Sequence, residues 1–228
     1  MEISVVIPCL NEELSIRKCI EKSFNSFQTL GIEGEVIVVD NNCTDNTAHI
    51  ARSCGARVVE CKPAGYGYAL QEGFKNAKGR FIIMGDGDDS YDFNEIPKFY
   101  EKITSTDCAM VTGTRIKGDI KKGAMPFLHQ YLGTPVLTMI LNLLYRVGIS
   151  DVNCGMRMFN SEYLDKLTFT AGGMEFASEL FVLFAKNKFK IVEIPIALYP
   201  VTNGRVPKLN AFRDGFRHLF YLISNFVR

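Results

Sequence analysis

The sequence predicts an α/β fold built on a doubly wound, mainly parallel sheet. Short, continuous apolar runs alternate with helix-periodic segments through residues 1–114, the order expected when strands are buried beneath helices. In addition, Pro8–Asn11, Asp40–Asn42 and Asp86–Asp89 each follow such a run directly, at a strand carboxyl end. Open parallel sheets bind ligands along that edge, so three polar motifs converge on one place.

Ile3–Ile7 reads as the first buried strand, ending at Pro8. Glu12–Leu30 has helical spacing, with Ile16, Cys19, Ile20, Phe24 and Phe27 on one face. Glu35–Val39 is the second strand and ends in Asp40. Thr44 and Asp45 suit the cap of a helix running to about Ser53. Ala56–Val59 is the third strand, Gly67–Ala77 a helix, Phe81–Met84 the fourth strand and Asn94–Ile103 a helix. Cys108–Val111 is the fifth strand.

The second half is less regular. Gly123–Gly148 reads as an amphipathic helical stretch broken at Gly133–Pro135, and Asp151–Phe159 as a loop entering a short strand. Ser161–Leu167 and Gly173–Asn187 are helical, Lys190–Ile194 is a strand closed by Pro195, and Leu209–Val227 is a terminal helix. With no repeat and no Pro/Ser linker, one continuous domain over residues 1–228 is expected.

A hydrophobic content of 47% supports a large core, and a net charge of +1 argues against nucleic acid as a partner. The charge is unevenly spread: residues 1–114 carry a net −6 and residues 115–228 a net +7. The acidic half suits a cation site and the basic half an anionic acceptor or membrane surface; chance segregation of solvated charge is the plain alternative. Seven cysteines, an odd number without a CxxC, read as reduced thiols in a cytoplasmic protein. His49, His129 and His218 are read as surface or packing residues. A strand begins almost at once, so no signal peptide is expected, and no run reaches the roughly 18 apolar residues that span a bilayer.

The block Met84-Gly-Asp-Gly-Asp-Asp-Ser-Tyr-Asp92 is the most informative. Asp86 and Asp88, two residues apart, aim two carboxylates at one region. They repel unless a hard cation lies between them, and Gly85 and Gly87 let a bulky ligand approach. A divalent metal holding a diphosphate fits this pattern; an acidic surface turn is the other reading.

Val5–Glu13, Val38–Thr47, Gly65-Tyr-Gly-Tyr-Ala69 and the Asp block together resemble family 2 glycosyltransferases of GT-A fold. Gly113-Thr-Arg115, Gly155-Met-Arg157 and Glu193-Ile-Pro195 resemble the branch that contains dolichol-phosphate mannosyltransferase and bacterial polyprenyl-phosphate glycosyltransferases. The resemblance implies that residues 1–114 form a nucleotide-sugar-binding half and residues 115–208 an acceptor-side half. It implies that Pro8, Asn11, Glu12, Gly65, Gly67, Asp86 and Gly87 border the nucleotide and that Asp40 accepts from the base imide of UDP or GDP. Asp86 and Asp88 would hold Mg²⁺ or Mn²⁺, while Ser90 replaces a Gln often found in the family. Asp88, Arg115, Glu179 and Arg205 would be catalytic, and Arg157 and Lys208 would meet acceptor phosphate. Structural readings stand beside these: a helix cap for Asn11 and Glu12, a turn for Asp40, ion pairs of Arg115 and Arg157 with Asp151 or Glu179, and ordinary loop charge for Arg205 and Lys208.

The implied reaction is inverting transfer of a sugar from a UDP- or GDP-sugar to a lipid phosphate. A phosphate acceptor is already anionic near neutral pH, its second pKa being ~6, whereas a hydroxyl would need a base, for which Glu175, Glu179 and Asp151 are candidates. The terminal helix is basic and aromatic, which suits peripheral contact with the cytoplasmic face of a membrane. A glycan or other hydroxyl acceptor is one alternative; a nucleotide-sugar-binding regulator without catalysis is another.

Overall fold

The computed structural model describes residues 1–201 and 211–226, the side chains of residues 211–213 excepted. Arg205 and Lys208 lie outside the described residues. Seven strands form one sheet: β1 (Ile3–Cys9), β2 (Gly34–Asp40), β3 (Arg57–Glu60), β4 (Phe81–Met84), β5 (Met110–Ile120), β6 (Arg157–Asn160) and β7 (Ile191–Leu198). Their order is β3-β2-β1-β4-β6-β5-β7. Only β6 runs antiparallel to its neighbours, β4 and β5; the remaining pairs are parallel. The helices are α1 (Ile16–Leu30), α2 (Thr47–Ser53), α3 (Tyr66–Asn76), α4 (Ile96–Ser105), α5 (Thr134–Tyr145), α6 (Ser161–Leu164), α7 (Phe176–Lys186) and α8 (Ala211–Phe226).

Alternation along the strands divides the core between the two sheet faces. Val5 and Ile7 of β1 join Ile16 and Ile20 of α1 and Phe99 of α4. Val6 joins Leu70 and Phe74 of α3, Phe176 and Leu180 of α7, Leu141 of α5 and Leu222 of α8. Both faces are therefore covered, and the central strands β1, β2 and β4 carry buried apolar runs between them, as the sequence predicts.

Several elements differ from the sequence expectation. First, α1 begins at Ile16, because Glu12–Ser15 forms a turn whose Glu12 carbonyl accepts from the Ser15 and Ile16 amides at 3.1 and 2.9 Å. Second, β7 continues through Pro195 to Leu198. It is an edge strand, where the missing proline N–H leaves no ladder bond unmade. Third, β5 extends to Ile120, pairing with β7 across a register shift between Thr114 and Asp119. Before α5, a π-helical turn at His129–Gly133 carries the chain where a break was expected, and Pro135 sits harmlessly in the first turn of α5.

Candidate active site

The parallel strands deliver the predicted motifs to one sheet edge. Pro8 pairs with Val39 beyond the last residue that joins β1 to β4, so its absent N–H is not missed on the β4 side. The loops that follow β1, β2 and β4 each contain a non-glycine residue in the left-handed region: Asn11 (φ 56°), Asn42 (φ 68°) and Asp89 (φ 60°). Asn and Asp tolerate that region better than other residues, so sharp turns are built here without glycine.

Hydrogen bonds tie these loops together. Asn11 Oδ1 accepts from the Thr44 amide at 2.7 Å, and the Glu12 amide donates to Thr47 Oγ1 at 2.8 Å. Asp40 Oδ1 accepts from the Cys43 amide at 2.8 Å, which makes Asp40 the head of a turn and fixes its orientation. Buried Asn41, which sequence reasoning missed, donates to the Cys61 and Pro63 carbonyls at 3.0 and 2.8 Å and accepts from the Gly65 amide at 2.8 Å. It clamps the segment that leads into α3.

Gly65 and Gly67 answer to a close approach of backbone. A Cβ on Gly65 would lie 2.2 Å from the Gly172 carbonyl oxygen, and one on Gly67 would lie 2.2 Å from that of Ala171. The Gly67 amide donates to the Gly172 oxygen at 3.0 Å. Glu179 holds the other side of this contact. Its carboxylate, 1% exposed, accepts from the Thr170 amide and hydroxyl, the Ala171 amide and the Tyr221 hydroxyl, at 2.8–3.0 Å. The geometry makes Glu179 a positioning residue for the 170–172 loop rather than the catalytic group expected.

The Asp block follows β4. Asp86 Oδ1 accepts from the Tyr66 hydroxyl at 3.0 Å. Burial and the Asp86 charge push the Tyr66 pKa well up, so it stays a donor. Asp88 Oδ1 accepts from the Ser90 hydroxyl at 2.6 Å and the Ser90 amide at 3.1 Å. Ser90 thus orients Asp88. Gly87 packs against Cys9 Sγ, where a Cβ would lie 2.9 Å away, and its carbonyl accepts from Ser15 Oγ at 2.7 Å. Two hard oxygen donors so arranged fit Mg²⁺ or Mn²⁺, which bind through few protein carboxylates and keep places for water and phosphate. Among the described residues no group of three or more His, Cys, Asp or Glu forms a self-sufficient cage.

Arg115 and Arg157 take different places. Arg115 is held in a fork by Asp151, Nε to Oδ2 at 2.7 Å and Nη2 to Oδ1 at 2.8 Å. Burial pushes the Asp151 carboxyl up, but the Arg115 charge and hydrogen bonds outweigh it and hold the pKa below the usual carboxylate value. Glu193 accepts from the Ser150 and Asp151 amides at 2.6 and 3.2 Å, so it supports the turn that carries Asp151. Arg157 is fully buried; it donates to the carbonyls of Val152, Cys154 and Ala177 at 2.7–3.0 Å and lies 4.3 Å over the Phe181 ring. That corrects its expected contact with acceptor phosphate and also its possible pairing with Glu179. Gly155 is the tight point of this support, since a Cβ there would lie 2.6 Å from Asp86 Oδ2.

A cavity of about 220 Å³ opens beside Asp86. Tyr66, Tyr91, Arg115 and Asn153 line it, together with Asp214 and His218 of α8. The α8 residues were missed because burial of a histidine on a basic, aromatic helix leaves no sequence signal.

The sequence pattern of "Glycosyl transferase family 2" matches residues 4–168. The chain is a family 2 glycosyltransferase. The glycosyltransferase is 41% identical over 223 residues to the low-salt glycan biosynthesis hexosyltransferase Agl6 of Haloferax volcanii, covering 98% of this chain and 53% of that protein. It is 30% identical over 216 residues to a dolichyl-phosphate hexose transferase of the same organism, covering 94% of this chain and 89% of that one. The second is named for dolichyl phosphate, in agreement with the branch that the sequence motifs resemble. The fold of this chain is GT-A: glucosyl-3-phosphoglycerate synthase of Mycobacterium tuberculosis superposes with a TM-score of 0.77 at 21% identity, covering 98% of this chain and 80% of the other.

Proposed function

We propose that this glycosyltransferase moves a hexose, with inversion, from a UDP- or GDP-sugar to a polyprenyl or dolichyl phosphate at the cytoplasmic face of a membrane. The observation that carries the lipid acceptor is that the elements lining the cavity also present apolar surface. His129, Gly133, Thr134 and Leu137 line it from the π-helical turn and α5, while Phe127, Tyr131, Met139 and Leu143 of the same stretch are exposed. Asp214, Gly215 and His218 line it from α8, while Phe216, Phe220, Ile223 and Phe226 are exposed. An exposed apolar face of this kind marks an interaction surface, and here it adjoins the place of reaction. Among the described residues no helix is long and apolar enough to cross a membrane.

Asp86 and Asp88 would hold the Mg²⁺ or Mn²⁺; when bound, the cation offsets charge on the departing diphosphate. Asp40 would accept from the base imide, Asn11 and Glu12 would border the nucleotide, and Arg115 would face its phosphates while anchored by Asp151. Arg205 and Lys208 would supply further positive charge from the 202–210 segment. The similar hexose transferase from Haloferax volcanii, named for dolichyl phosphate, supports the acceptor class, and the mycobacterial synthase crystallised with Mn²⁺ and UDP supports the donor class.

Two of the candidate bases are engaged elsewhere, Asp151 by Arg115 and Glu179 by the 170–171 loop. A phosphate acceptor needs neither. Glu175 favours the second reading, a hydroxyl acceptor: Oε1 takes Arg217 at 2.8 Å, but Oε2 is buried with no hydrogen-bond partner. Labelled UDP-glucose and GDP-mannose, offered with Mn²⁺ to dolichyl phosphate in mixed micelles, separate the two. Acid-labile label in the lipid phase is expected. Transfer only to hydroxyl sugars, lost in Glu175→Gln, would establish the second reading instead.

A further inference from the structure

The terminal helix supplies a polar wall to the cavity. Asp214 and His218 are one turn apart on α8, so they share a face, and both are at least nine-tenths buried. The same helix turns Phe216 and Phe220 outward, at 70% and 75% exposure, and keeps Asp214, His218 and Leu222 inward. The His218 ring is fixed: Nδ1 lies 2.7 Å from Ser178 Oγ on α7. Burial holds its pKa down at about 4, so the ring is neutral near pH 7. With Nδ1 engaged, Nε2 is the ring nitrogen left for a ligand.

The cavity presents groups that suit hydroxyls. It lies beside Asp86, and Asn153, Asp214 and His218 are among its lining residues. Two carboxylates, Asp86 and Asp214, line it. The charge of its arginine, Arg115, is met by the fork with Asp151. Carboxylates and a neutral imidazole exchange hydrogen bonds with hydroxyls. The opening beside Asp86 places the cavity next to where the diphosphate would be held.

Resting on the donor site proposed above, we propose that His218 is a specificity-determining residue that exchanges a hydrogen bond through Nε2 with a hydroxyl of the transferred hexose. The competing account is that Ser178 and His218 only dock α8 on α7. A docking role would lower stability and weaken all ligands alike; a sugar-reading role weakens only ligands that carry the sugar. A polar site left with one unmade hydrogen bond discriminates strongly against the mismatched partner.

The test is calorimetric binding of UDP, UDP-glucose, GDP and GDP-mannose, each with Mn²⁺, to the protein and to His218→Phe, His218→Gln and Ser178→Ala, with thermal unfolding as the check on folding. For whichever nucleotide binds, His218→Phe is expected to keep the affinity for the bare diphosphate and to lose about tenfold for the sugar nucleotide. His218→Gln, which retains a donor and an acceptor, restores part of the loss. Ser178→Ala frees the ring without removing it and gives a smaller loss of the same selective kind, even if His218→Phe fails to fold. Parallel losses for bare and sugar-bearing nucleotides, or no loss for either, overturn the inference and leave the donor site standing. Failure of the unaltered protein to bind UDP or GDP with Mn²⁺ removes the donor site and this inference together.

Discussion

Asp88 shows how one side chain depends on its neighbour. Ser90 fixes Asp88 Oδ1 through hydroxyl and amide, so the carboxylate is oriented before any cation arrives. Asp88→Ala is expected to abolish Mn²⁺-dependent nucleotide binding, while Ser90→Ala weakens it by up to roughly tenfold. Equal binding by Asp88→Ala in Mn²⁺ and in EDTA, at the unaltered affinity, would remove the metal role. The pair Asp151–Arg115 carries a pH prediction. Asp151 titrates below its ordinary value when folded, so its contribution is present above the unfolded pKa of ~3.9 and is lost as pH falls through the folded value. Asp151→Asn should cost about 3 kcal/mol near pH 7, measured by urea unfolding, and should flatten the acid limb of the stability curve. An unchanged acid limb would show that the pair contributes nothing there. The placing of Asp86 and Asp88 together after a strand is legible in the sequence because the two are near neighbours in it. The Tyr66–Asp86, Arg115–Asp151 and Ser178–His218 contacts are not, because each joins residues 20 to 40 positions apart. The fates of the two arginines differ for the same reason: carbonyls gathered from three segments around Arg157 leave no local trace.

At the scale of elements, α8 presents two chemistries, and only one was legible. The periodicity of Phe216, Phe220 and Ile223 points to an apolar stripe, and the basic residues suggest an anionic surface. The structure turns the stripe outward and keeps Asp214, His218 and Leu222 inward. Phe216→Ser, Phe220→Ser and Ile223→Ser together should therefore leave thermal stability nearly unchanged while reducing binding to phosphatidylserine vesicles by tenfold or more, read by sedimentation. Unchanged sedimentation would remove the membrane face from the account. Among the strands, β1 to β4 were legible as continuous apolar runs bounded by turn residues. The reach of β5 was not, because its outer end, Lys117–Asp119, is exposed and polar and is held by pairing across the bulge, and that of β7 was not, because Pro195 reads as the end of a strand. Nor could the antiparallel insertion of β6 between β4 and β5 be read from four residues.

Across the whole molecule, the acidic first half and basic second half meet at the sheet edge. Asp40, Asp86 and Asp88 come from the former; Arg115, α7 and α8 come from the latter. The first half carries its loops on parallel strands, and the second half supplies helices that also carry the exposed apolar face. This division explains why the first half was the more legible: a strand end fixes a loop locally, while the second half depends on helix packing between distant segments. The central claim is that this edge holds a nucleoside diphosphate through a divalent cation. Thermal unfolding of the protein with UDP, GDP, CMP and ADP, each in Mn²⁺ and in EDTA, tests it most directly. At 100-fold over the dissociation constant, a ligand adds ~2.7 kcal/mol to stability, a readily measured rise in Tm. The account predicts a rise with UDP or GDP that requires Mn²⁺ and is absent with ADP; no rise with any nucleotide, or equal rises in Mn²⁺ and EDTA, would contradict it.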